Sequence, residues 1–158
     1  DNNDMTDKYN YFYDEYYNDI ATIYDKYKKI PNPHVVSIFR GSLPLGVHLS
    51  NVLACPMSIV KFQSRDGGDT KAEWILNQIH DEKLRPVARF FPHLIVVDDI
   101  YDTGKTFRSV LELPEFDKNP NYNCIALYGN KNDDNVDYLH EQLYRWIVFP
   151  WERVKGGM

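Results

Sequence analysis

Residues 93–107 constrain the fold more than any other stretch of this chain. They read HLIVVDDIYDTGKTF, which is an apolar run, an acidic pair, a third acid and a Thr-Gly-Lys-Thr turn. The run from Leu94 to Val97 is rich in β-branched side chains, as is typical of a strand buried on both faces of a parallel sheet. The glycine permits close approach to the backbone, and N–H groups that enter a helix favour anions. This stretch therefore predicts a buried strand that ends in an anion-binding turn.

A second turn of the same kind follows another apolar stretch. Residues 35–39 read VVSIF, and Arg40, Gly41 and Ser42 come directly after them, before an apolar helical stretch that runs to Leu53. This order places a guanidinium and backbone N–H groups at a helix N-terminus, where anions are favoured. An Arg-Gly pair alone is often only a solvated turn. The prediction of a second anion site therefore depends on its combination with residues 93–107.

The wider pattern predicts an α/β fold, with a mainly parallel central sheet flanked by helices and a small C-terminal hood. The expected strands lie near residues 35–39, 58–62, 93–98 and 124–128, and the expected helices over 9–30 and 106–113. The expected irregular segments are frayed residues 1–8, a mobile loop at 63–71 and a loop at 115–123, while 72–89 fit either a helix or a strand. Both anion turns then fall at the carboxyl edge of the sheet, where open α/β folds bind ligands.

The composition of the chain is typical of a globular protein. Of the 158 residues, 43% are hydrophobic and 26% charged, which predicts one globular domain over residues 1–158. The net charge of −5 argues against nucleic acid as the main partner, because such proteins usually present a basic face. No apolar run reaches membrane-spanning length, and the first residues show no basic-then-apolar leader. We therefore expect a cytoplasmic protein without a membrane partner, in which Cys55 and Cys124 are reduced thiols.

The acidic pair Asp98 and Asp99 narrows the choice of ligand. Two acids that alternate at a strand end, beside an anion turn, suit ribose hydroxyls and a hydrated Mg²⁺. An ordinary strand followed by an Asp-capped helix would leave this pair unexplained. A nucleotide P-loop would need an earlier glycine, separated by four residues from its Gly-Lys pair, whereas here the acids precede the glycine. The segment VVDDIYDTGKT resembles the phosphoribosyl-pyrophosphate (PRPP) motif of the type I phosphoribosyltransferases.

This resemblance implies a role for each residue of the two turns. Asp98 and Asp99 would hold the ribose and, through bound waters, position Mg²⁺, while Asp102 would be the general base. The implied ribose and 5′-phosphate site comprises Asp98, Asp99, Asp102, Thr103, Gly104, Lys105 and Thr106. Arg40 and Gly41 would bind pyrophosphate, next to a Phe39–Arg40 peptide that is often cis in relatives. Residues 63–71 would close over the site, with Ser64, Arg65 and Lys71 as candidates to face phosphate.

A second resemblance concerns the purine base. Residues 144–152, YRWIVFPWE, are similar to a C-terminal segment of the xanthine-guanine phosphoribosyltransferases. The similarity implies that Trp146 and Ile147 flank a purine and that Glu152 lies near the metal, whereas Trp151 more simply seals the core. Lys131, just beyond the strand at 124–128, would recognise the oxygen at C6 of the purine. A solvated surface lysine is the competing interpretation of Lys131.

Together these resemblances predict a 6-oxopurine phosphoribosyltransferase. Such an enzyme joins N9 of guanine, xanthine or hypoxanthine to C1 of PRPP, with inversion, and releases pyrophosphate. The family implies a requirement for Mg²⁺ and a homodimer or homotetramer. Two alternatives stay open at this point. One is a transferase for adenine or a pyrimidine; the other is a PRPP-sensing regulator that binds nucleic acid, which the acidic balance of the chain disfavours.

Overall fold

The computed structural model describes residues 7–64, 70–84, 91–119, 121–130 and 136–154. In chain order its strands are β1 (Lys8–Asn10), β2 (Pro33–Phe39), β3 (Met57–Ser64), β4 (Thr70–Leu76), β5 (His93–Tyr101), β6 (Tyr122–Gly129), β7 (Val136–Glu141) and β8 (Trp146–Val148). Six of them form the central sheet, in the order β4-β3-β2-β5-β6-β7. All neighbours in this sheet run parallel except β3 and β4. The predicted mainly parallel α/β sheet is confirmed.

Helices lie on both faces of this sheet. They are α1 (Tyr13–Tyr27), α2 (Leu43–Leu53), α3 (Lys105–Leu111) and α4 (Pro114–Asp117), with short 3-10 turns at Glu82–Leu84 and Pro150–Glu152. No helix in the described ranges is long and apolar enough to cross a bilayer.

Alternation along the strands divides the core into two clusters. On β5, Ile95 and Val97 belong to the cluster that contains apolar side chains of α1 and α2. Val96, between them, belongs to the cluster that contains Phe107 and Val110 of α3. All three β5 side chains are fully buried. Because successive side chains of a strand point to opposite faces, an unbroken apolar run is what two covered faces require.

The N-terminal segment differs from the prediction of one helix over residues 9–30. Helix α1 begins at Tyr13, and the preceding residues form β1, which pairs in parallel with β8. The backbone N–H of Trp146 donates to the carbonyl of Asp7 at 2.7 Å. This pairing joins the two ends of the chain, so it has no local signal in the sequence. The predicted frayed segment, residues 1–8, lies mostly outside the described residues, and Asp7 and Lys8 are ordered by this pairing.

Two further segments also differ from their predictions. The predicted loop at 63–71 is shorter, because Gln63 and Ser64 still belong to β3 while Thr70 and Lys71 begin β4. Arg65 lies outside the described residues. Residues 72–89 fitted either a helix or a strand, and their first residues form strand β4. Helix α4 includes residues 115–117, which were predicted as part of a loop. Ladder hydrogen bonds satisfy the backbone whatever the polarity of the side chains, so a polar composition alone does not end a strand.

Burial makes both cysteines poor nucleophiles. It raises the pKa of Cys55 to about 11 and that of Cys124 to about 12. At pH 8 a thiol with the lower of these pKa values is about one part in a thousand thiolate.

We expect both thiols of the folded protein to react with a disulfide reagent at pH 8 at least about 100-fold more slowly than in urea, where both thiols should react at once. Rapid modification of Cys124 in the folded state would contradict its placement in the core.

Candidate functional site

The parallel register gathers the ends of several strands at one edge of the sheet. Strand β2 pairs with β5, β5 with β6, and β6 with β7, all in the same direction. Their carboxyl ends lead into Arg40, Asp102, Asn130 and Gln142 respectively. Both turns predicted to bind anions therefore lie at the carboxyl edge, as expected for an open α/β sheet. We call this edge, with its turns, the candidate site.

At the end of β5 the two adjacent acids have different environments. Asp98 is buried, with 9% of its surface exposed, and its Oδ1 accepts the backbone N–H of Asp99 at 2.9 Å. Burial raises the pKa of the Asp98 carboxyl well above its usual range, and the neighbouring charge of Asp99 raises it further. Asp99 is only partly buried. Alternation along the strand thus leaves one of the two carboxylates facing the site.

The carboxylate of Asp99 packs against the Arg-Gly-Ser turn. A Cβ atom at Gly41 would overlap Oδ2 of Asp99, so only glycine allows this approach without a shift. The Phe39–Arg40 peptide that precedes it is cis, as the resemblance of the sequence implied. Arg40 itself is exposed. The predicted pyrophosphate turn is therefore in direct contact with Asp99, one of the two predicted ribose acids.

Hydrogen bonds within the core fix the shape of this turn. Ser42 is fully buried, and its hydroxyl donates to the carbonyl of Ile38 and lies 2.9 Å from the hydroxyl of Ser37. The N–H of Gly46 donates to the Ser42 carbonyl at 2.8 Å, which anchors the first turn of α2. Sequence reasoning assigned no role to Ser37 or Ser42. The sequence signal that could have identified Ser37 is its position as a polar residue within an otherwise apolar strand.

The turn after β5 has the conformation that its glycine predicts. Gly104 has φ +85° and directly precedes α3, and a side chain there would crowd the ring of Tyr101 and the guanidinium of Arg108. Arg108 donates to the carbonyl of Thr103 at 3.3 Å, and the N–H of Lys105 donates to the Thr103 hydroxyl at 3.3 Å. Lys105 and Thr103 are exposed and Thr106 is partly exposed. Arg108 adds a cation beside this turn that sequence reasoning missed.

Asp102 is exposed, yet its carboxylate is held in place. Its Oδ1 accepts a hydrogen bond from Nδ2 of Asn130 at 3.0 Å. The same amide nitrogen donates to Oε1 of Gln142 at 2.6 Å. Sequence reasoning gave no function to Asn130 or to Gln142. No local pattern predicts this contact, because the three residues come from three different loops.

The predicted purine segment divides between the surface and the core. Trp146 is 43% exposed on β8, whereas the side chain of Ile147 is 4% exposed and belongs to the core cluster beneath α1. Trp151 packs against that same cluster and stacks on Phe149 with ring centroids 5.2 Å apart, as predicted for a core residue. Any contact of Ile147 with a ligand would therefore be made by its backbone atoms. Lys131 lies outside the described residues.

Glu152 has a structural contact of its own. Its Oε1 accepts the backbone N–H of Phe149 at 2.8 Å and so caps the last 3-10 turn. The part of the chain that the structure describes contains no group of three or more His, Cys, Asp or Glu side chains placed to hold a metal ion. The predicted metal set of Asp98, Asp99 and Glu152 stays a prediction.

Comparison with known proteins agrees with the geometry of this edge. The model of the phosphoribosyl transferase domain family matches residues 13–152. The chain belongs to this family and is an enzyme of the glycosyltransferase type. The comparison with curated protein sequences found no match.

Solved structures share the fold. A purine phosphoribosyltransferase from Pyrococcus horikoshii is 23% identical, with a TM-score of 0.72 over 95% of this chain and 97% of that one. A xanthine-guanine-hypoxanthine phosphoribosyltransferase of Helicobacter pylori is 22% identical, with a TM-score of 0.69 over 92% and 94%. An orotate phosphoribosyltransferase from Aeropyrum pernix is 16% identical, with a TM-score of 0.52 over 80% and 73%. Since orotate is a pyrimidine, the fold alone does not fix the base.

The two acids of β5 should respond differently to the same substitution. Asp99→Asn removes a charge that faces the Gly41 turn, and we expect it to lower phosphoribosyl transfer at least about tenfold. Asp98→Asn is the matched control, because burial already favours the uncharged form of that side chain; its loss should be at least about threefold smaller. Steady-state rates with PRPP, together with thermal unfolding of both variants, check this. Equal losses would contradict the assignment of Asp99 as the acid that faces the ligand.

Proposed function

We propose that this enzyme transfers the 5-phosphoribosyl group from PRPP to N9 of a 6-oxopurine and releases pyrophosphate. The observation that carries the proposal is the contact between Asp99 and Gly41. It joins the turn predicted to hold pyrophosphate to the acid predicted to hold ribose, which are the two parts of PRPP on either side of the bond that breaks. The family match supports PRPP as the donor.

The electrostatic demands of this reaction suit the residues present. Pyrophosphate leaves with several negative charges, and the guanidinium of Arg40 and the backbone N–H groups of the Gly41 turn would stabilise that charge. Lys105, Thr106 and Arg108 at the second turn would bind the 5′-phosphate. Asp102 would accept the proton of the purine as N9 attacks, because its carboxylate lies at the candidate site and is oriented by the amide of Asn130.

Mg²⁺ fits this arrangement as a proposed cofactor. The ion prefers oxygen ligands and is commonly held by one or two carboxylates together with substrate phosphates and waters. Asp99 beside Gly41 offers such a carboxylate next to the proposed pyrophosphate position, with Asp98 behind it. Bound Mg²⁺ would supply charge neutralisation to the leaving group. Glu152 would contribute through its second carboxylate oxygen, because the first caps the backbone.

The choice of a purine rests on the C-terminal segment. Trp146 offers a partly exposed aromatic surface on β8, and stacking on such a surface is worth about 1 to 3 kcal/mol per base. The carbonyl of Arg145, the residue before it, accepts the side-chain amide of Gln142 at 2.9 Å. Hydrogen bonds thus link the residue before Trp146, through Gln142 and Asn130, to Asp102, the proposed general base. Two similar solved structures are named for purines.

The predicted homodimer or homotetramer also stays a proposal. Apolar side chains are exposed on α1 and α2, where a second copy of the chain would find an apolar face: Tyr13, Tyr17, Tyr24, Val47 and Val52.

Pyrophosphate release from PRPP with Mg²⁺ tests the proposed function directly. We expect turnover with guanine, xanthine or hypoxanthine and at least about 100-fold less with adenine, orotate or uracil. Trp146→Ala should raise the KM for the base about tenfold and leave the KM for PRPP unchanged, because it removes a stacking surface.

Trp151→Ala is the matched control for this substitution. It should lower the unfolding temperature and leave the KM for the base near that of the unsubstituted protein, because this side chain packs against the core. Preferred turnover with adenine or a pyrimidine would retain the PRPP site and overturn the oxopurine assignment. Tight PRPP binding without turnover of any base would overturn the proposed transfer.

A further inference from the structure

Asp102 lies at one end of a chain of side-chain hydrogen bonds that crosses the candidate site. Nδ2 of Asn130 donates to Oδ1 of Asp102 at 3.0 Å and to Oε1 of Gln142 at 2.6 Å. Nε2 of Gln142 donates in turn to the carbonyl of Arg145 at 2.9 Å. The chain therefore runs from a carboxylate on the β5 turn, through the end of β6, to the residue that precedes β8.

The direction of each hydrogen bond in this chain is fixed by chemistry. A carboxylate only accepts, so the amide of Asn130 must turn its nitrogen toward Asp102. Gln142 uses its nitrogen on a backbone carbonyl, so its oxygen is the atom left to accept from Asn130. Both N–H groups of Asn130 are then engaged, which leaves one orientation of that amide. The carboxylate of Asp102 is held by a donor that cannot rotate away without losing two hydrogen bonds.

The far end of the chain is anchored in the fold. Gln142 is 3% exposed, and its backbone N–H donates to the carbonyl of Gly129 at 2.9 Å. The backbone N–H of Asn130 donates to the carbonyl of Tyr101 at 3.0 Å. Asn130 is thus fixed by both its backbone and its side chain, between the strand that supports Asp102 and the segment that leads to Trp146.

The turn between Gln142 and Arg145 has an unusual backbone. Leu143 and Tyr144 both have positive φ, at 56° and 57°, and both side chains are exposed, at 62% and 77%. Side chains of this size rarely adopt the left-handed region, so the surrounding contacts must hold the turn. The backbone N–H and Nε of Arg145 both donate to the carbonyl of Gln142 at 3.2 Å. This places the Arg145 carbonyl where Gln142 can reach it.

We infer that Asn130 and Gln142 are positioning residues. They fix the position of the Asp102 carboxylate relative to Trp146, the residue proposed to stack on the purine. The inference rests on the proposed function, in which Asp102 is the general base. A base must lie within hydrogen-bond reach of the proton it removes, and a misplacement of about 1 Å can cost a large factor in rate. Asn130 acts through Asp102 and needs no contact with PRPP or with the purine.

The test is a double-mutant cycle between Asn130 and Asp102, read in kcat and KM. Asn130→Ala should lower kcat about tenfold and leave the KM for PRPP within about twofold, because the lost hydrogen bond acts on a charged group in the chemical step. Asn130→Asp, which has the same shape, should lower kcat further, since it places a carboxylate against two acceptors. In the Asp102→Asn background, Asn130→Ala should cost no further activity.

Asn77→Ala is the matched control. Asn77 also donates its amide to a carboxylate, that of Glu115 at 3.0 Å, but it lies just after β4 and has no part in the candidate site. This variant should keep the kcat of the unsubstituted chain. Thermal unfolding shows whether each Asn130 variant is folded. If Asn130→Ala does not fold, the isosteric Asn130→Asp variant takes its place in the kinetic test.

The possible results separate this inference from the proposed function. An active unsubstituted chain in which Asn130→Ala keeps full kcat would overturn the positioning role and leave the proposed function intact. An equal loss from Asn130→Ala with and without Asp102 would also overturn it, because Asn130 would then act by another route. Failure of the unsubstituted chain to transfer phosphoribose to any base would overturn the proposed function itself, and with it the role of Asp102 as a base.

Discussion

The parallel pairing of β5 with β2 and β6 is the constraint on which the rest of the structure depends. Parallel strands must be covered on both faces, and their carboxyl ends must lie together. The first requirement is met by two apolar clusters on opposite faces, under α1 with α2 and under α3. The second brings the Gly41 turn, the Gly104 turn and Asn130 to one edge, although they are far apart in the chain. The topology of the sheet therefore brings together the two turns proposed to bind the phosphate groups of PRPP.

Burial of polar groups at this edge costs free energy, and hydrogen bonds to neighbouring groups offset part of that cost. Asp98 is enclosed at the end of β5, and its burial disfavours the charged form. It accepts the backbone N–H of Asp99, while Ser37 and Ser42 satisfy each other beneath the Arg-Gly turn. Such groups would be poor choices for stability alone, since an apolar side chain would fill the same space. Their presence at a strand end is typical of a site that holds charged ligands.

The N-terminal segment supports the C-terminal part of the candidate site. Strand β1 pairs with β8, and the guanidinium of Arg145 lies 4.3 Å from the ring centroid of Tyr9. The hydroxyl of the buried Tyr11 donates to Asp19 of α1, and His140 of β7 lies 2.7 Å from the same carboxylate oxygen. Tyr11 therefore packs into the core, and β1 links the N-terminal segment to the residues around β8.

The sequence by itself determined four strands of the central sheet, both glycine turns and the acidic pair, because each depends on local signals: a β-branched run, a glycine where the chain needs positive φ or close approach, and alternation along a strand. Only the tertiary structure decided which acid faces the site, that Ile147 is turned into the core while Trp146 is exposed, and that Asn130 and Gln142 hold Asp102. It also decided that residues 8–10 form a strand with residues 146–148 rather than the start of a helix. Those features depend on contacts between segments far apart in the chain, and no local pattern of residue types specifies which partners will meet.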